Sequence, residues 1–499
     1  MDPITATESS AKTVSASLRP RIVISERRLL LVTGDILLIV ASLVGSLIFW
    51  EQIGGFSLGL RLLRAQAYWL IPLAVGWMIW LALSDTYNLR LAVRSGAIVW
   101  RVFAGGLFVT FLYLLVFFIA SRATVTQGLP SVLNSLSSGS EPLRFAPAVA
   151  IGGSTALIII WRLFYIWALC GPQTRPRLLI LGAGQAGRTL YTTIARHYTS
   201  HYHVVGFIDD DPHKQGAEFA GIPVLGAHQD LERIAAANHT DEIALAISTR
   251  LPDDLLQRLM NCHEHGLTVT PMPLIYERLT GKVAVEHIGT QWYVALPLQP
   301  RTAATALAVI KRLMDLIGGL LLGLLLALLT PLIAIAIKLD SPGPVLYRQQ
   351  RLGLHGRSFL VYKFRSMHTN AERDGVARWS TKGDSRITRV GAILRRTRLD
   401  ELPQTINVIR GDMSLVGPRP EREQFVEQLQ QHIPFYRTRL AAKPGLTGWA
   451  QINYGYGSSI SDSLTKLQYD LYYLKHQSPW FDLLILARTI AVVLRMQGR

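Results

Sequence analysis

The sequence predicts a membrane α-helical bundle, an α/β Rossmann-like domain and an α-rich C-terminal domain that begins with a re-entrant membrane helix. Three observations predict these parts. Apolar residues form long runs, one strand pattern leads directly into a glycine-rich turn and a helix, and the last third is dense in arginine, glycine and proline. The predicted segments are a flexible tail (1–28), four transmembrane helices (29–170), the Rossmann-like domain (171–275), a connector (276–310) and the C-terminal domain (311–499).

The chain has 499 residues and a formal net charge of +17. Such a charge suits nucleic acid, an anionic membrane face or phosphorylated substrates. The basic residues lie beside apolar segments and the sequence has no nucleic-acid-binding signature, so we expect no nucleic-acid partner and favour anionic inner-leaflet lipids and phosphates. The two cysteines, Cys170 and Cys262, are predicted to be unpaired thiols, with neither a disulfide framework nor a zinc site.

Four apolar runs are long enough to suggest transmembrane helices; they cover residues 29–50, 68–83, 99–120 and 145–169. The second run is shorter and contains Pro72. Arg90 and Arg94 follow it, which predicts a cytoplasmic loop there, because basic residues concentrate on the cytoplasmic side. Charged residues inside the runs are few, so the bundle is predicted to pack and anchor rather than to transport.

A soluble α/β pattern begins near residue 177. A buried-strand pattern leads into the glycines Gly182, Gly184 and Gly187, and the next strand ends at Asp209, where a ribose-binding carboxylate would fall. This context predicts a dinucleotide-type fold, but glycines also serve tight turns and close helix packing, so nucleotide binding stays open. No tyrosine has a lysine four residues later, which argues against redox chemistry.

The apolar segment 313–339 has two interpretations. A straight helix of this length could cross the bilayer and would place the C-terminal domain outside. Basic residues flank both ends and the segment is interrupted at Thr330-Pro331. Since proline removes a backbone hydrogen bond and bends a helix, we favour a helix that enters the membrane, turns at Pro331 and returns to the same face.

Arginines crowd a pair of adjacent carboxylates, Asp400 and Glu401. A cationic rim would let a carboxylate approach a phosphate without being repelled. The pair could equally be surface charges on a helix, matched by arginines one turn away. Loops rich in glycine, proline and cations lie on both sides of the pair, and such loops suit phosphate binding.

Four motifs resemble one family. They read Tyr-Lys-Phe-Arg-Ser-Met from residue 362, Leu-Asp-Glu-Leu-Pro-Gln from 399, Gly-Asp-Met-Ser-Leu-Val-Gly-Pro-Arg-Pro from 411 and Lys-Pro-Gly-Leu-Thr-Gly-Trp-Ala-Gln from 443. Together they look like the bacterial sugar transferases called monotopic phosphoglycosyl transferases, or polyprenyl glycosylphosphotransferases. The resemblance is strong from about residue 311 to 499, and the upstream helices with a Rossmann-like domain resemble the long form, which initiates exopolysaccharide, capsule or O-antigen synthesis.

The resemblance implies that Asp400 is a nucleophile that takes a sugar phosphate from a UDP-sugar, expels UMP and passes the sugar phosphate to undecaprenyl phosphate. It implies Mg2+ at Asp400 and Glu401, where Glu401 would hold the metal or assist proton transfer. The implied phosphate-binding or carboxylate-binding residues are Lys363, Arg365, Arg395, Arg419 and Lys443. Thr330-Pro331 matches the family's Ser-Pro break in the re-entrant helix.

The donor and acceptor place the implied active site on the cytoplasmic face of the bacterial inner membrane. The sugar cannot be identified from the sequence, although glucose is favoured over galactose. A homodimer is compatible with the extra helices and the large cytoplasmic domain. The alternative is a membrane-anchored nucleotide-sugar-binding or regulatory protein whose C-terminal domain is inactive. The full set of motifs argues against this alternative.

Overall fold

The computed structural model describes residues 24–54, 60–84, 86–87, 95–123, 146–169, 175–199, 201–247, 251–287, 304–369, 371, 384–455, 457 and 459–494. Nearly all of the predicted tail, most of the basic loop around Arg90 and Arg94, Cys170 and residues 288–303 of the predicted connector lie outside these residues.

Four long helices precede the α/β domain: α1 (Ile24–Gly54), α2 (Leu60–Leu83), α3 (Ser95–Ala123) and α4 (Ala146–Leu169). Within them, the stretches Leu29–Phe49, Ser95–Leu115 and Ala146–Ala168 are long and apolar enough to cross a membrane. The second predicted span is weaker, since its apolar stretch is only Leu70–Ala82. The chain is therefore a membrane protein.

Two of the few charged residues inside the bundle contact each other. Asp35 of α1 and Arg162 of α4 are both fully buried and form an ion pair. The Arg162 guanidinium also donates to the Thr86 carbonyl oxygen at 3.1 Å. Because a buried charge is tolerated when it is paired, this contact fits the predicted packing role of the bundle.

A six-stranded sheet follows, with the strand order β3-β4-β2-β1-β5-β6. Its strands are β1 (Arg177–Leu181), β2 (His203–Ile208), β3 (Glu218–Phe219), β4 (Ile222–Gly226), β5 (Glu242–Leu245) and β6 (Thr268–Pro271). All neighbours pair in parallel except the short β3, which runs antiparallel to β4. This is the order of a doubly wound α/β fold, whose ligand crevice lies at the carboxyl ends of the strands.

The helices of this domain are α5 (Gln185–His197), α6 (Leu231–Ala237), α7 (Asp253–Glu264) and α8 (Met272–Thr280). After α8 the sequence predicts β structure near Lys282–Glu286, and this is wrong: the chain forms a 3-10 helix at Val285–His287. Val283 and Val285 are buried in the core of the C-terminal domain, so packing against that domain replaces strand pairing.

The C-terminal domain opens with α9 (Ala304–Asp340), which is continuous through Pro331. The Thr330 hydroxyl donates to the Leu326 carbonyl oxygen at 2.6 Å, one turn back, as a hydroxyl in a helix interior can do. The interruption is thus not a turn between two separate helices. The return of α9 to the same membrane face stays a prediction.

One face of α9 packs along the C-terminal domain. At its start, Arg312 donates to the carbonyl oxygens of Val408 and Ile409 at 2.8 and 2.7 Å. Near its end, Ile333 and Ile337 are buried in another core cluster of the same domain. Leucines on the opposite face are largely exposed, which is the surface expected to meet lipid.

The remaining elements of the C-terminal domain are strands and helices. The strands are β7 (Leu346–Leu352), β8 (Ser358–Phe364), β9 (Ser414–Val416) and β10 (Gly445–Thr447). The helices are α10 (Arg389–Arg396), α11 (Thr405–Arg410), α12 (Glu423–His432), α13 (Trp449–Asn453), α14 (Ile460–His476) and α15 (Pro479–Leu494). β7 and β8 form an antiparallel hairpin, whereas β9 and β10 pair in parallel. The sequence of residues 480–495, which is apolar with interspersed arginines, predicts an interfacial helix. In the structure α15 packs against α2 and leaves Trp480 exposed.

Candidate active site

Asp400 and Glu401 lie in a tight 3-10 helix, Leu399–Gln404, between α10 and α11. Arg398 precedes it with a φ of 61°, a left-handed conformation that ends α10 and reverses the chain. Both carboxylates are buried, with 7% of each residue exposed. They are therefore not surface charges on a helix, which was the alternative interpretation of the sequence.

Three cations hold Glu401. Lys363 donates to Oε1 at 2.9 Å, the Arg419 guanidinium bonds both carboxylate oxygens, and Arg398 lies 3.9 Å from Oε2. Burial alone would raise the pKa of Glu401, but the charges of Arg419 and Lys363 outweigh it and keep that pKa well below its ordinary range. Glu401 is thus ionised and fully used as an acceptor.

Asp400 has a different environment. Within the part of the chain that the structure describes, no hydrogen bond or ion pair reaches its carboxylate. Burial and the neighbouring Glu401 charge raise the pKa of Asp400 to about 6, and Lys363, Arg395 and Arg419 counteract that rise. At neutral pH the pair therefore offers one carboxylate that is ionised, desolvated and free to react.

Lys363 reaches the pair from the last residues of β8. The hairpin pairs it with Tyr347 of β7, and the Asn407 side chain of α11 bonds the Tyr362 amide and the Leu360 carbonyl oxygen. These bonds fix β8 against the helix that follows the carboxylates. Burial lowers the pKa of Lys363, while Glu401 opposes that change.

Arg419 comes from the loop after β9, and the glycines of two motifs shape this loop. A Cβ on Gly417 would lie 2.2 Å from the Lys443 carbonyl oxygen, and one on Gly448 would lie 2.2 Å from the Gly417 carbonyl oxygen. The Gly445 amide donates to the Pro418 carbonyl oxygen at 2.9 Å. Only glycine allows the two loops to approach this closely, which explains why both motifs are glycine-rich.

The other predicted phosphate-binding residues have varied positions. Arg395 bonds the Ser366 hydroxyl at 2.8 Å and acts electrostatically on Asp400. The backbone of Lys443 packs against the Arg419 loop. Arg365 is buried, and its guanidinium donates to the carbonyl oxygens of Ser341 and Pro342, both at 2.6 Å, just beyond the end of α9. Arg365 thus contacts backbone in this structure, and its predicted phosphate contact stays a prediction.

The glycine-rich turn belongs to the α/β domain and not to this site. Gly182 has a φ of 109°, and a Cβ on Gly187 would lie 2.0 Å from the Gly182 carbonyl oxygen, so both serve the turn and the helix packing. Asp209 already accepts from the Ala183 amide at 2.7 Å and from Lys214 at 3.3 Å. Gly184 lies at the start of α5, with open space around it. Nucleotide binding there stays a prediction.

The residues fit Mg2+ through Asp400 better than through Glu401. Mg2+ usually binds one or two carboxylates and completes its shell with water and substrate phosphate. Within the described part of the chain the Asp400 carboxylate accepts no hydrogen bond, whereas both Glu401 oxygens accept from cations. Among the described residues, no group of three or more His, Cys, Asp or Glu could hold a metal, so most ligands would come from water and a diphosphate.

Three residues that support the site were not predicted from the sequence. Arg351 donates to the Pro420 carbonyl oxygen at 3.3 Å, beside Arg419. Arg439 and Asp470 form a buried pair behind the same loop. No local spacing links these residues to the carboxylates, so pattern alone carries no signal for them.

A buried carboxylate pair, a rim of cations and a long, largely exposed apolar helix form the arrangement expected of a membrane protein that acts on phosphorylated substrates. Comparison with known families is more specific. The family model described as bacterial sugar transferase matches residues 306–496, and a model described as CoA-binding domain matches residues 149–273.

Similarity to individual proteins supports the same family. The chain is 42% identical over 236 residues to the UDP-N-acetylgalactosamine-undecaprenyl-phosphate N-acetylgalactosaminephosphotransferase of Aeromonas hydrophila, covering 47% of this chain and 54% of that protein. It is 32% identical to the undecaprenyl-phosphate galactose phosphotransferase of Salmonella typhimurium, covering 65% and 69%. It is 45% identical to the UDP-glucose:undecaprenyl-phosphate glucose-1-phosphate transferase of Klebsiella pneumoniae, covering 63% and 67%.

The chain belongs to the bacterial sugar transferase family. Its membrane helices and α/β domain, placed ahead of the matched domain, give it the architecture of the long-form polyprenyl phosphoglycosyl transferases. Over several relatives, such as the Aeromonas protein, the match spans only about half of the relative's length.

Proposed function

We propose that the protein transfers a sugar 1-phosphate from a UDP-sugar to undecaprenyl phosphate and releases UMP, as the first membrane step of a surface polysaccharide. The observation that carries this proposal is the contrast within the carboxylate pair: Asp400 is buried and accepts no hydrogen bond from the described residues, whereas Glu401 is committed to cations. The relatives named above act on glucose, galactose and N-acetylgalactosamine donors, and glucose is our first choice of sugar.

In the first step, an Asp400 oxygen attacks the β-phosphorus of the donor. A new P–O bond forms to the carboxylate, the bond from that phosphorus to the bridging oxygen breaks, and the electron pair leaves with UMP. Arg419, Lys363 and Arg395 supply the positive charge that a dianionic phosphate requires. Mg2+ bound through Asp400 and the diphosphate would neutralise further phosphate charge.

In the second step, a phosphate oxygen of undecaprenyl phosphate attacks the phosphorus held on Asp400. The aspartyl–phosphate bond breaks, the carboxylate is regenerated, and undecaprenyl-diphosphate-sugar leaves. Dividing the transfer in this way lets a soluble donor and a lipid acceptor use one pocket in turn. Glu401 stays ionised throughout and keeps Lys363 and Arg419 in place.

The proposed location is the cytoplasmic face of the inner membrane, where the donor is present. Support comes from α9, whose two ends contact the same domain: Arg312 at the start and the Arg365-bonded carbonyl oxygens at the end. A helix that crossed the bilayer would separate those contacts by the membrane thickness. We therefore propose that α9 enters and leaves through one leaflet.

The test is incubation of the purified protein with UDP-glucose, UDP-galactose or UDP-N-acetylgalactosamine, without acceptor. We expect one UMP per protein and a sugar phosphate on Asp400, located by intact-mass and peptide analysis. Asp400→Asn should abolish both signals, whereas Asp412→Asn, at an exposed aspartate of the same domain, should keep them. Turnover by Asp400→Asn would overturn the mechanism. A folded protein that binds UDP-sugars without releasing UMP would favour the regulatory alternative.

A further inference from the structure

Arg439 is a buried cation behind the Arg419 loop. It lies in a 3-10 helix, Tyr436–Ala441, and is 5% exposed. Its Nε and Nη2 atoms contact Asp470 Oδ2 at 3.0 and 2.8 Å, and Nη1 donates to the Tyr436 hydroxyl at 3.0 Å. Nη2 also donates to the Arg419 carbonyl oxygen at 3.0 Å. One guanidinium thus joins an acid, a phenol and the backbone of a residue at the active site.

A buried ion pair is a costly way to fill a core, since apolar residues of similar volume often give equal or greater stability. Asp470 of α14 is only 2% exposed and neutralises Arg439. The pair therefore calls for a role beyond stability. Arg439 also donates to the Arg419 carbonyl oxygen, and this contact links the buried ion pair to the active site.

The Arg419 loop needs such a contact because prolines flank the arginine and contribute no N–H groups. Three carbonyl oxygens of the loop are held from outside it. Pro418 accepts from the Gly445 amide at 2.9 Å, Arg419 accepts from Arg439 at 3.0 Å, and Pro420 accepts from Arg351 at 3.3 Å. The central bond fixes the residue whose guanidinium grips Glu401.

We propose that Arg439, oriented by Asp470, is a positioning residue that holds the Arg419 guanidinium on Glu401 and on the phosphate of the incoming substrate. This proposal rests on the proposed function. Arg439 touches neither Asp400 nor Glu401 directly, so it acts through Arg419. A lysine cannot replace it, because a single ammonium lacks the planar fork that serves Asp470, Tyr436 and the carbonyl oxygen together.

The experiment is a double-mutant cycle on steady-state UMP release, with undecaprenyl phosphate and whichever of the three UDP-sugars the wild type uses. Arg439→Lys should lower kcat about 10- to 100-fold, since a shift of about 1 Å in a positioning group can cost that much. In an Arg419→Lys background the same change should cost about twofold or less, because residues that act through each other are not additive. Arg312→Lys is the matched control, since Arg312 also donates to backbone carbonyl oxygens but not in this loop. Its effect should be the same in both backgrounds.

A second measurement does not depend on activity. Phenylglyoxal modifies accessible arginines, and the modified peptides are quantified by mass spectrometry. Arg439→Lys should speed modification of Arg419 several-fold and leave Arg312 and Arg365 unchanged, whereas general loosening would speed all three. If Arg439→Lys does not fold, Tyr436→Phe removes one of the four contacts and should give a smaller effect in the same direction.

The results separate the two proposals. If the wild type releases UMP but Arg439→Lys lowers kcat equally in both backgrounds, or if Arg419 modification is unchanged, the positioning role is wrong and the proposed function stands. If the wild type releases no UMP, the proposed function is wrong and the positioning role is overturned with it.

Discussion

The guanidinium of Arg419 bonds both carboxylate oxygens of Glu401, although Arg419 lies in the loop after β9 and Glu401 in the 3-10 helix between α10 and α11. This bidentate pair keeps Glu401 from competing with Asp400, its neighbour in the chain. It also brings a cation to the edge of the site, where it is one-third exposed and able to meet a phosphate. The division of roles between the two carboxylates therefore depends on a residue from another loop.

The pH dependence of UMP release should depend on the different roles of Asp400 and Glu401. A nucleophilic Asp400 must be ionised, and its pKa is raised to about 6, so kcat/KM should fall about tenfold per pH unit below that value. The Glu401 charge raises this pKa and the Arg419 charge lowers it. Glu401→Gln should therefore move the acidic limb to lower pH, and Arg419→Gln should move it to higher pH.

These opposite displacements are diagnostic because both substitutions break the same ion pair. A general loss of structure would lower the rate at all pH values and leave the limb in place. Movement of both limbs in one direction would contradict the assignment of Asp400 as the titrating nucleophile. Pre-steady-state UMP release between about pH 5 and 8 is the suitable measurement.

The close contact of β9 and β10 predicts a sharp difference between two glycines. A Cβ on Gly445 would lie 2.1 Å from the Gly417 amide nitrogen, so Gly445→Ala should push the paired loops apart and displace Arg419. We expect a loss of about 1–3 kcal/mol in stability, together with a fall in UMP release. A Cβ on Gly455 would have no atom within 4 Å, and Gly455→Ala should stay within about 0.5 kcal/mol of the wild type. Thermal unfolding of both variants tests this, and equal effects would contradict the close-approach explanation.

The sequence predicted the strands of the α/β domain well, because hydrophobic runs bounded by glycine, proline and acidic residues are local signals. The sequence patterns predict strands at Arg177–Leu181, at Ile222–Gly226 and from Val204 onward. Strands β1 and β4 occupy the first two positions, and β2 begins one residue before Val204. The two-residue β3 was missed, since Glu218–Phe219 is too short to show a period. The predicted β structure after α8 failed because a distant domain supplies the packing for Val283 and Val285.

At the site, the motifs led to the carboxylate pair and to most of the cations around it. They could not distinguish the environments of Asp400 and Glu401, because the difference lies in partners that are 18 and 38 residues away in sequence. Arg439 and Asp470 were missed for the same reason, since each is an ordinary charged residue until the fold buries them together.

His228 predicts a pH dependence in the stability of the α/β domain. Its ring bonds Asp210 at the end of β2 at 2.7 Å and Asp254 at the start of α7. Burial opposes protonation, but the hydrogen bonds and charges of Asp254 and Asp210 prevail and raise the pKa of His228 above its ordinary value of 6.5. A raised folded-state pKa stabilises the fold fully below pH 6.5, and this contribution is lost as the pH rises through the folded-state pKa.

His228→Asn should therefore lower Tm more at about pH 6 than at about pH 9. His213→Asn, at an exposed histidine of the same domain, is the matched control and should show no such difference. Differential scanning fluorimetry of the detergent-solubilised proteins gives six Tm values, those of the wild type and the two variants at each pH. A Tm loss for His228→Asn that is the same at both pH values would contradict the charged bridge.

The topology of α9 can be tested by cysteine labelling. If the helix enters and leaves through one leaflet, Ala308→Cys and Lys338→Cys should both react with a membrane-impermeant maleimide from the cytoplasmic side only. Both positions are exposed near opposite ends of the helix, and the background would carry Cys170→Ser and Cys262→Ala. A spanning helix would label these positions from opposite sides. Pro331→Ala restores a backbone N–H and removes the clash of the proline ring, which together favour a straight helix by about 3 kcal/mol, so it should move part of the Lys338→Cys labelling to the outer side. Thr330→Ala is the control, because it removes only the bond from the hydroxyl to the Leu326 carbonyl oxygen and should leave the labelling pattern unchanged.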